Sequence, residues 1–95
     1  MLFVIIGRAK AGSTAKERIA RRIGWKYPAG VRVVAEYWPL TTETAVISVA
    51  EADNVASIMA ALVDWDDVFD LTVVPALTAE QGLELAKQMQ AGSSA

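Results

Sequence analysis

Residues 31–50 read VRVVAEYWPLTTETAVISVA, and the fold turns on this stretch. Val31 to Trp38 is rich in β-branched and aromatic residues and alternates well enough for a strand, which Pro39 stops because proline cannot continue a sheet ladder. Thr41, Thr42 and Glu43 turn the chain, and Thr44 to Ala50 returns as a second strand, so a β-hairpin is predicted mid-chain.

Working outward, each side of the hairpin carries one helix and one more strand. Asp53 is a candidate N-cap for a helix whose Val55, Ile58, Met59 and Leu62 recur along one face. After a polar turn around Trp65, Val68 to Val74 forms a strand ended by Pro75. On the N-terminal side, Leu2 to Gly7 (LFVIIG) is apolar at every position, as expected of a central strand covered on both faces. Thr14 followed by Glu17 is a capping-box pattern, and it opens a helix carrying Ile19 and Ile23 that ends at Gly24. Trp25 to Gly30 is a loop. Thr78 with Gln81 starts a last helix, and the tail from Ala91 is expected to fray.

The order β-α-β-β-α-β is the split, ferredoxin-like arrangement: an α+β fold with a four-stranded antiparallel sheet, two helices on one face, and an extra C-terminal helix. A single domain over residues 1–90 is expected, followed by a disordered tail at 91–95. One strand set, including Val33, Ala35, Tyr37, Ile47, Val49, Leu71 and Val73, is nearly all apolar and is assigned to the helices. The alternate set, including Arg32, Val34, Glu36, Trp38, Val46, Ser48, Asp70, Thr72 and Val74, is mixed. Such a face suits a second sheet packed against it, so a homodimer or higher oligomer is expected.

Composition supports that expectation and removes several chemistries. Hydrophobic residues make up 54% of the 95-residue chain, a surplus for so small a core. No apolar run is long enough to span a membrane, and the opening run Met1 to Ile6 lacks a basic segment before it, so a cytoplasmic protein is expected. Cysteine and histidine are both absent, which excludes disulfides, thiolate or imidazole catalysis, and Cys/His metal sites within this chain. No cofactor and no metal are expected. The charge is polarised: Arg8 to Arg32 holds eight of the nine basic residues against Glu17 alone, net +7, whereas the remainder holds ten acids against Lys87, net −9. Pairing between these halves is favoured over nucleic-acid binding.

The start MLFVI, Pro28-x-Gly30-Val31, Trp38, Glu51, the Trp65-Asp66 turn and Val73-Val74-Pro75 together resemble the dimeric α+β barrel superfamily. Within it, the chain is most similar to a small uncharacterised bacterial and archaeal domain family. That superfamily includes cofactor-free monooxygenases, haem enzymes, muconolactone isomerase-like enzymes and ligand-sensing domains, so the resemblance implies a fold and not one function. Without histidine this chain lacks the usual proximal haem ligand.

Candidate ligand-binding residues are Arg32, Glu36, Tyr37, Trp38, Trp65 and Asp70. Tryptophan and tyrosine at strand ends can stack a planar ligand, as Trp25 and Tyr27 also can. Arg32, Glu36 and Asp70 are assigned to the mixed sheet face, where a desolvated carboxylate would rise in pKa and serve as a general base, with Arg32 holding an anion. The duller reading makes them cross-dimer ion pairs. Two functions remain: a homo-oligomeric module binding a small aromatic or anionic molecule or a protein, or a cofactor-independent monooxygenase- or isomerase-like enzyme acting on a small aromatic substrate. No catalytic residue is assigned.

Overall fold

In the computed structural model, which describes residues 1–93, the chain runs β1 (Leu2–Ala9), α1 (Ala15–Gly24), β2 (Val31–Tyr37), β3 (Val46–Ala52), α2 (Val55–Val63), β4 (Phe69–Ala76) and α3 (Ala79–Ser93). The strands lie in the order β2-β3-β1-β4, each antiparallel to its neighbours. This is the ferredoxin-like topology, with the all-apolar β1 inside the sheet and β2 and β4 at its edges.

Local chemistry sets the element ends. Thr14 Oγ1 accepts from the Glu17 N–H at 3.2 Å and caps α1. At α3 the capping box is reciprocal: Thr78 N–H donates to Gln81 Oε1 at 2.9 Å, and Gln81 N–H donates to Thr78 Oγ1 at 3.0 Å. The cap of α2 is Asn54 and not Asp53; its Oδ1 accepts from the Ser57 N–H at 3.0 Å. The reason is that β3 starts later and runs on to Ala52, two residues past its expected end. Pro75 lies within β4, opposite Phe3, which an edge strand tolerates because one of its sides has no ladder to donate to. The helix α3 continues through 91–93, and the rest of the stretch expected to fray, residues 94–95, lies outside the described residues.

The core sits between the sheet and α2. Phe3, Ile5, Ala52 and Ile58 are buried together, and Trp65, Val68 and Phe69 form a second cluster where the chain leaves α2 for β4. In contrast, α1 has no buried residue. Apart from half-buried Gly82, every residue of α3 whose burial is described is exposed. The radius of gyration is 16.4 Å, against about 12–13 Å for a compact chain of this length. The last helix therefore stands off the body.

The sheet faces differ from the alternation read in the sequence. In β3 the inward residues are Ser48, Ala50 and Ala52, with Ser48 and Ala50 registered opposite Ile5 and Phe3, so Ile47 and Val49 point to the bare side. In β2 a bulge between Val33 and Ala35 shifts the phase: Val33 pairs with Ala50, Ala35 with Val49, and Glu36 with Ser48. Glu36 is thereby carried to the helix side, and Ala35 and Tyr37, expected there, move to the bare side, where Arg32 already lies. Only β4 follows the expected pattern, with Leu71 and Val73 inward and Asp70, Thr72 and Val74 outward. When both alternate sets of a strand are apolar, hydrophobicity does not say which set faces the helices. In β3 it is the small set, Ser48, Ala50 and Ala52, that lies on the α2 side.

The bare face consists of Leu2, Val4, Ile6, Ala35, Tyr37, Ile47, Val49, Thr72 and Val74. Ion pairs stand at opposite corners, Arg8 with Asp70 at 2.8 Å and Arg32 with Glu51. Among the described residues, no helix is long and apolar enough to cross a membrane.

Candidate ligand cleft

Helix α1 presents Ala15, Arg18, Ile19 and Arg22 to the sheet, the i, i+3, i+4, i+7 stripe of an amphipathic helix. Two of these four are arginines, which keep their heads hydrated and do not press onto apolar strands. A cleft of about 470 Å³ is left between α1 and the sheet. Its floor is Ile5, Val46, Ser48 and Leu71, and the segment from Trp38 to Thr42 forms its rim. The volume lies within the range of small-molecule sites, roughly 300–1,000 Å³.

One wall is a run of aromatic rings. Trp25 meets Tyr27 at 4.7 Å between centroids and Trp65 at 5.6 Å, edge-on, and Trp65 meets Phe69 at 5.8 Å. The arginines of α1 lie over these rings: Arg18 over Phe69 at 5.7 Å, Arg21 over Trp65 at 5.3 Å, and Arg22 over Tyr27 at 5.5 Å. Cation–π attraction of this kind anchors the helix without closing the gap beneath it. Gly7 makes room on the floor side, since a Cβ there would lie 2.6 Å from Val46 Cγ1.

At the β2 end of the cleft, Glu36 collects four donors. Arg22 grips it from two nitrogens, Nε to Oε2 and Nη2 to Oε1, both at 3.0 Å; Tyr27 donates its hydroxyl to Oε1 at 2.6 Å and Trp38 Nε1 donates to Oε2 at 2.7 Å. The Tyr27 oxygen also lies 2.9 Å from buried Ser48 Oγ. Because the one phenolic proton points to the carboxylate, Ser48 is the donor in that second bond. Burial pushes the Glu36 carboxyl up, and this is the largest single influence. The hydrogen bonds from Arg22, Tyr27 and Trp38 and the charge of Arg22 together outweigh it, so the pKa is held below the ordinary carboxylate value. Tyr27 is pushed up to about 12, first by burial and then by its bond to an anion.

This corrects the expectation of a desolvated carboxylate with a raised pKa. Glu36 is an ionised acceptor whose oxygens are already occupied, and Tyr27 keeps its proton near neutral pH, so neither is poised to exchange protons with a substrate. The six residues singled out from sequence divide between the two faces. Glu36, Trp38 and Trp65 line the cleft. Arg32, Tyr37 and Asp70 are on the opposite side of the sheet, where Arg32 pairs with Glu51, Asp70 with Arg8, and Tyr37 is exposed. Arg32 and Glu36 therefore share no face, because the bulge lies between them.

Arg22 and Tyr27, partners of Glu36, and Ser48, partner of Tyr27, are contacts that local pattern does not reveal. A polar Ser48 in the apolar run Val46 to Ala50 is the one visible signal. Part of the basic face of α1 is paired within the chain, since Arg21 makes two parallel bonds to Asp67 at 2.7 and 2.8 Å; from the flanking loops, Trp25 Nε1 donates to Asp64 at 2.8 Å and Lys10 Nζ donates to the Asp66 carbonyl at 2.7 Å. These contacts tie α1 and its flanking loops to the 64–67 turn.

Compared with known families, residues 1–90 match the domain of unknown function DUF3303, and the chain belongs to that family. No curated protein and no solved structure matches it.

Proposed function

We propose that this DUF3303 domain binds a small, flat, largely apolar molecule in the cleft between α1 and the sheet, and that two copies pair through their bare sheet faces. One observation carries the binding reading: an aromatic-walled cleft of about 470 Å³ ends in a polar cluster whose members already satisfy one another. A gap of that size beneath a helix loses the contacts a closed core would have, and a ligand of matching shape restores them. The internally neutral Arg22–Glu36 pair holds the walls and leaves the middle of the cleft apolar. Binding is favoured over catalysis by the protonation states of Glu36 and Tyr27, which leave the site without a proton acceptor or donor suited to neutral pH.

The chain's three tryptophans all border the cleft, so its whole indole emission reports on the site. Titrating the protein with naphthalene- and indole-sized compounds should quench or shift that emission saturably and raise the melting temperature. Unchanged emission and melting temperature across such a panel would overturn the reading.

Self-pairing is supported by the apolar centre of the bare face and by its corner charges. A contiguous apolar patch of this kind is unusual on a monomer. A two-fold partner brings the same apolar centre and the same two ion pairs, which can exchange across the seam. Native mass spectrometry at low micromolar concentration should report a dimer or a multiple of it, and a monomer would refute the pairing.

A further inference from the structure

We infer that the molecule taken up by the cleft is an organic monoanion whose carboxylate is bound by Arg18, an inference that rests on the cleft reading above. Of the chain's five arginines, Arg8, Arg21, Arg22 and Arg32 each meet a carboxylate. Arg18 meets none among the described residues. Its guanidinium, half-buried and lining the cleft, donates from Nη1 to Ser13 Oγ at 2.7 Å and otherwise rests 5.7 Å from the centre of the Phe69 ring. A guanidinium carries five N–H donors in a planar fork that matches a carboxylate, so most of its donor capacity is left for a ligand.

The charge balance sets the ligand's charge. Arg18, Arg22 and Glu36 are the charged residues lining the cleft, and Arg22 is neutralised by its two-pronged bond to Glu36. A net single positive charge remains, at Arg18. A carboxylate cancels it, whereas a phosphate monoester dianion would leave negative charge uncompensated against an apolar wall. Arg18 is itself held in place: Ser13 accepts from it while donating to the Lys10 carbonyl at 2.9 Å, and its Cζ lies 5.7 Å from the centre of the Phe69 ring. Such preorganisation lowers the entropy cost of pairing with an anion. The ligand's apolar body would then extend along the rings toward Trp38 and Trp65.

The test compares 2-naphthoate with 2-naphthamide, nearly the same shape with and without the charge, by tryptophan emission on the full chain and on Arg18→Met and Arg18→Lys. The wild type should bind the carboxylate at least tenfold more tightly than the amide. Arg18→Met should abolish that preference, so that both probes bind with similar affinity, with a cooperative melting transition showing that the variant is folded, and Arg18→Lys should retain part of it. Equal affinity for the two probes in the wild type, or a preference that survives in Arg18→Met, overturns the assignment to Arg18 and leaves the cleft reading standing. Binding of neither probe overturns both.

Discussion

The two helices on the inner face of the sheet are the same length to within one residue, yet they meet it in opposite ways. Helix α2 is VASIMAALV, and it settles onto Phe3 and Ala52 with Ile58 and Ala61 buried. Helix α1 is AKERIARRIG, and it rests on aromatic rings through arginines with none of its residues buried. One half of the layer is a core and the other is a cleft. The difference lies in what each helix turns inward: methyl groups can reach van der Waals contact with a strand, whereas a guanidinium keeps its hydration and needs a carboxylate, a π-face or a ligand. Stability is thus concentrated under α2 and open volume under α1.

Substitutions of one kind in the two helices test that division most directly. Ile58 is 1% exposed, and Ile58→Ala should cost about 2–4 kcal/mol in a urea or thermal unfolding experiment, the usual range for emptying a core isoleucine position. The variant should bind cleft ligands with unchanged affinity at temperatures where it remains folded.

Next in size is the polar cluster that holds the cleft open. Glu36→Gln leaves Arg22 without its anion and should cost about 1–2 kcal/mol at neutral pH, moderated because Arg22 is partly reached by solvent. The effect should depend on pH. The folded-state pKa of Glu36 is lowered, so its contribution is fully present above the unfolded carboxyl's ordinary value. It declines as pH falls through that value and is lost once pH passes below the folded pKa. Unfolding midpoints from pH 6 down to about 2.5 should show the gap between wild type and Glu36→Gln closing; a constant gap would mean that Glu36 is not held ionised.

Tyr27 gives the alkaline counterpart. Its pKa is raised to about 12, so the protonated phenol's contribution is present below the ordinary tyrosine value and disappears as pH rises through about 12. An ultraviolet titration of the folded protein should contain a phenolate step near that pH, absent in Tyr27→Phe.

The smallest effect belongs to α1. Ile23 is 82% exposed, and Ile23→Ala should change stability by no more than about 0.5 kcal/mol. Were it to cost as much as Ile58→Ala, α1 would be packed down in solution and the contrast between the two halves would fail.

Much of the framework is legible in the sequence. The strand and helix order follows from local periodicity, and the caps at Thr14 and Thr78 follow from residue types three positions apart. The interior place of β1 follows from its unbroken apolar run. The lack of cysteine and histidine removes whole classes of chemistry on composition alone. The candidate site is legible only in part. Trp38, Trp65 and Glu36 are recognisable as ligand-type residues, but unbroken alternation groups Arg32 and Asp70 with Glu36 and Trp38 and sets Tyr37 on the helix face, and the alternation is broken at the β2 bulge.

What only the tertiary structure decided is which residues meet. The stretch VRVVAEY carries no glycine to announce the bulge that moves Glu36 across the sheet; that bulge is defined by register against β3, a pairing between positions up to about twenty residues apart. Likewise, nothing local to AKERIARRIG states that its arginines would lie on rings from the 25–27 loop and the turn before β4. Periodicity is a property of neighbours along the chain and is readable there. A cleft is made by failures of contact between distant segments, and those exist only once the chain has folded.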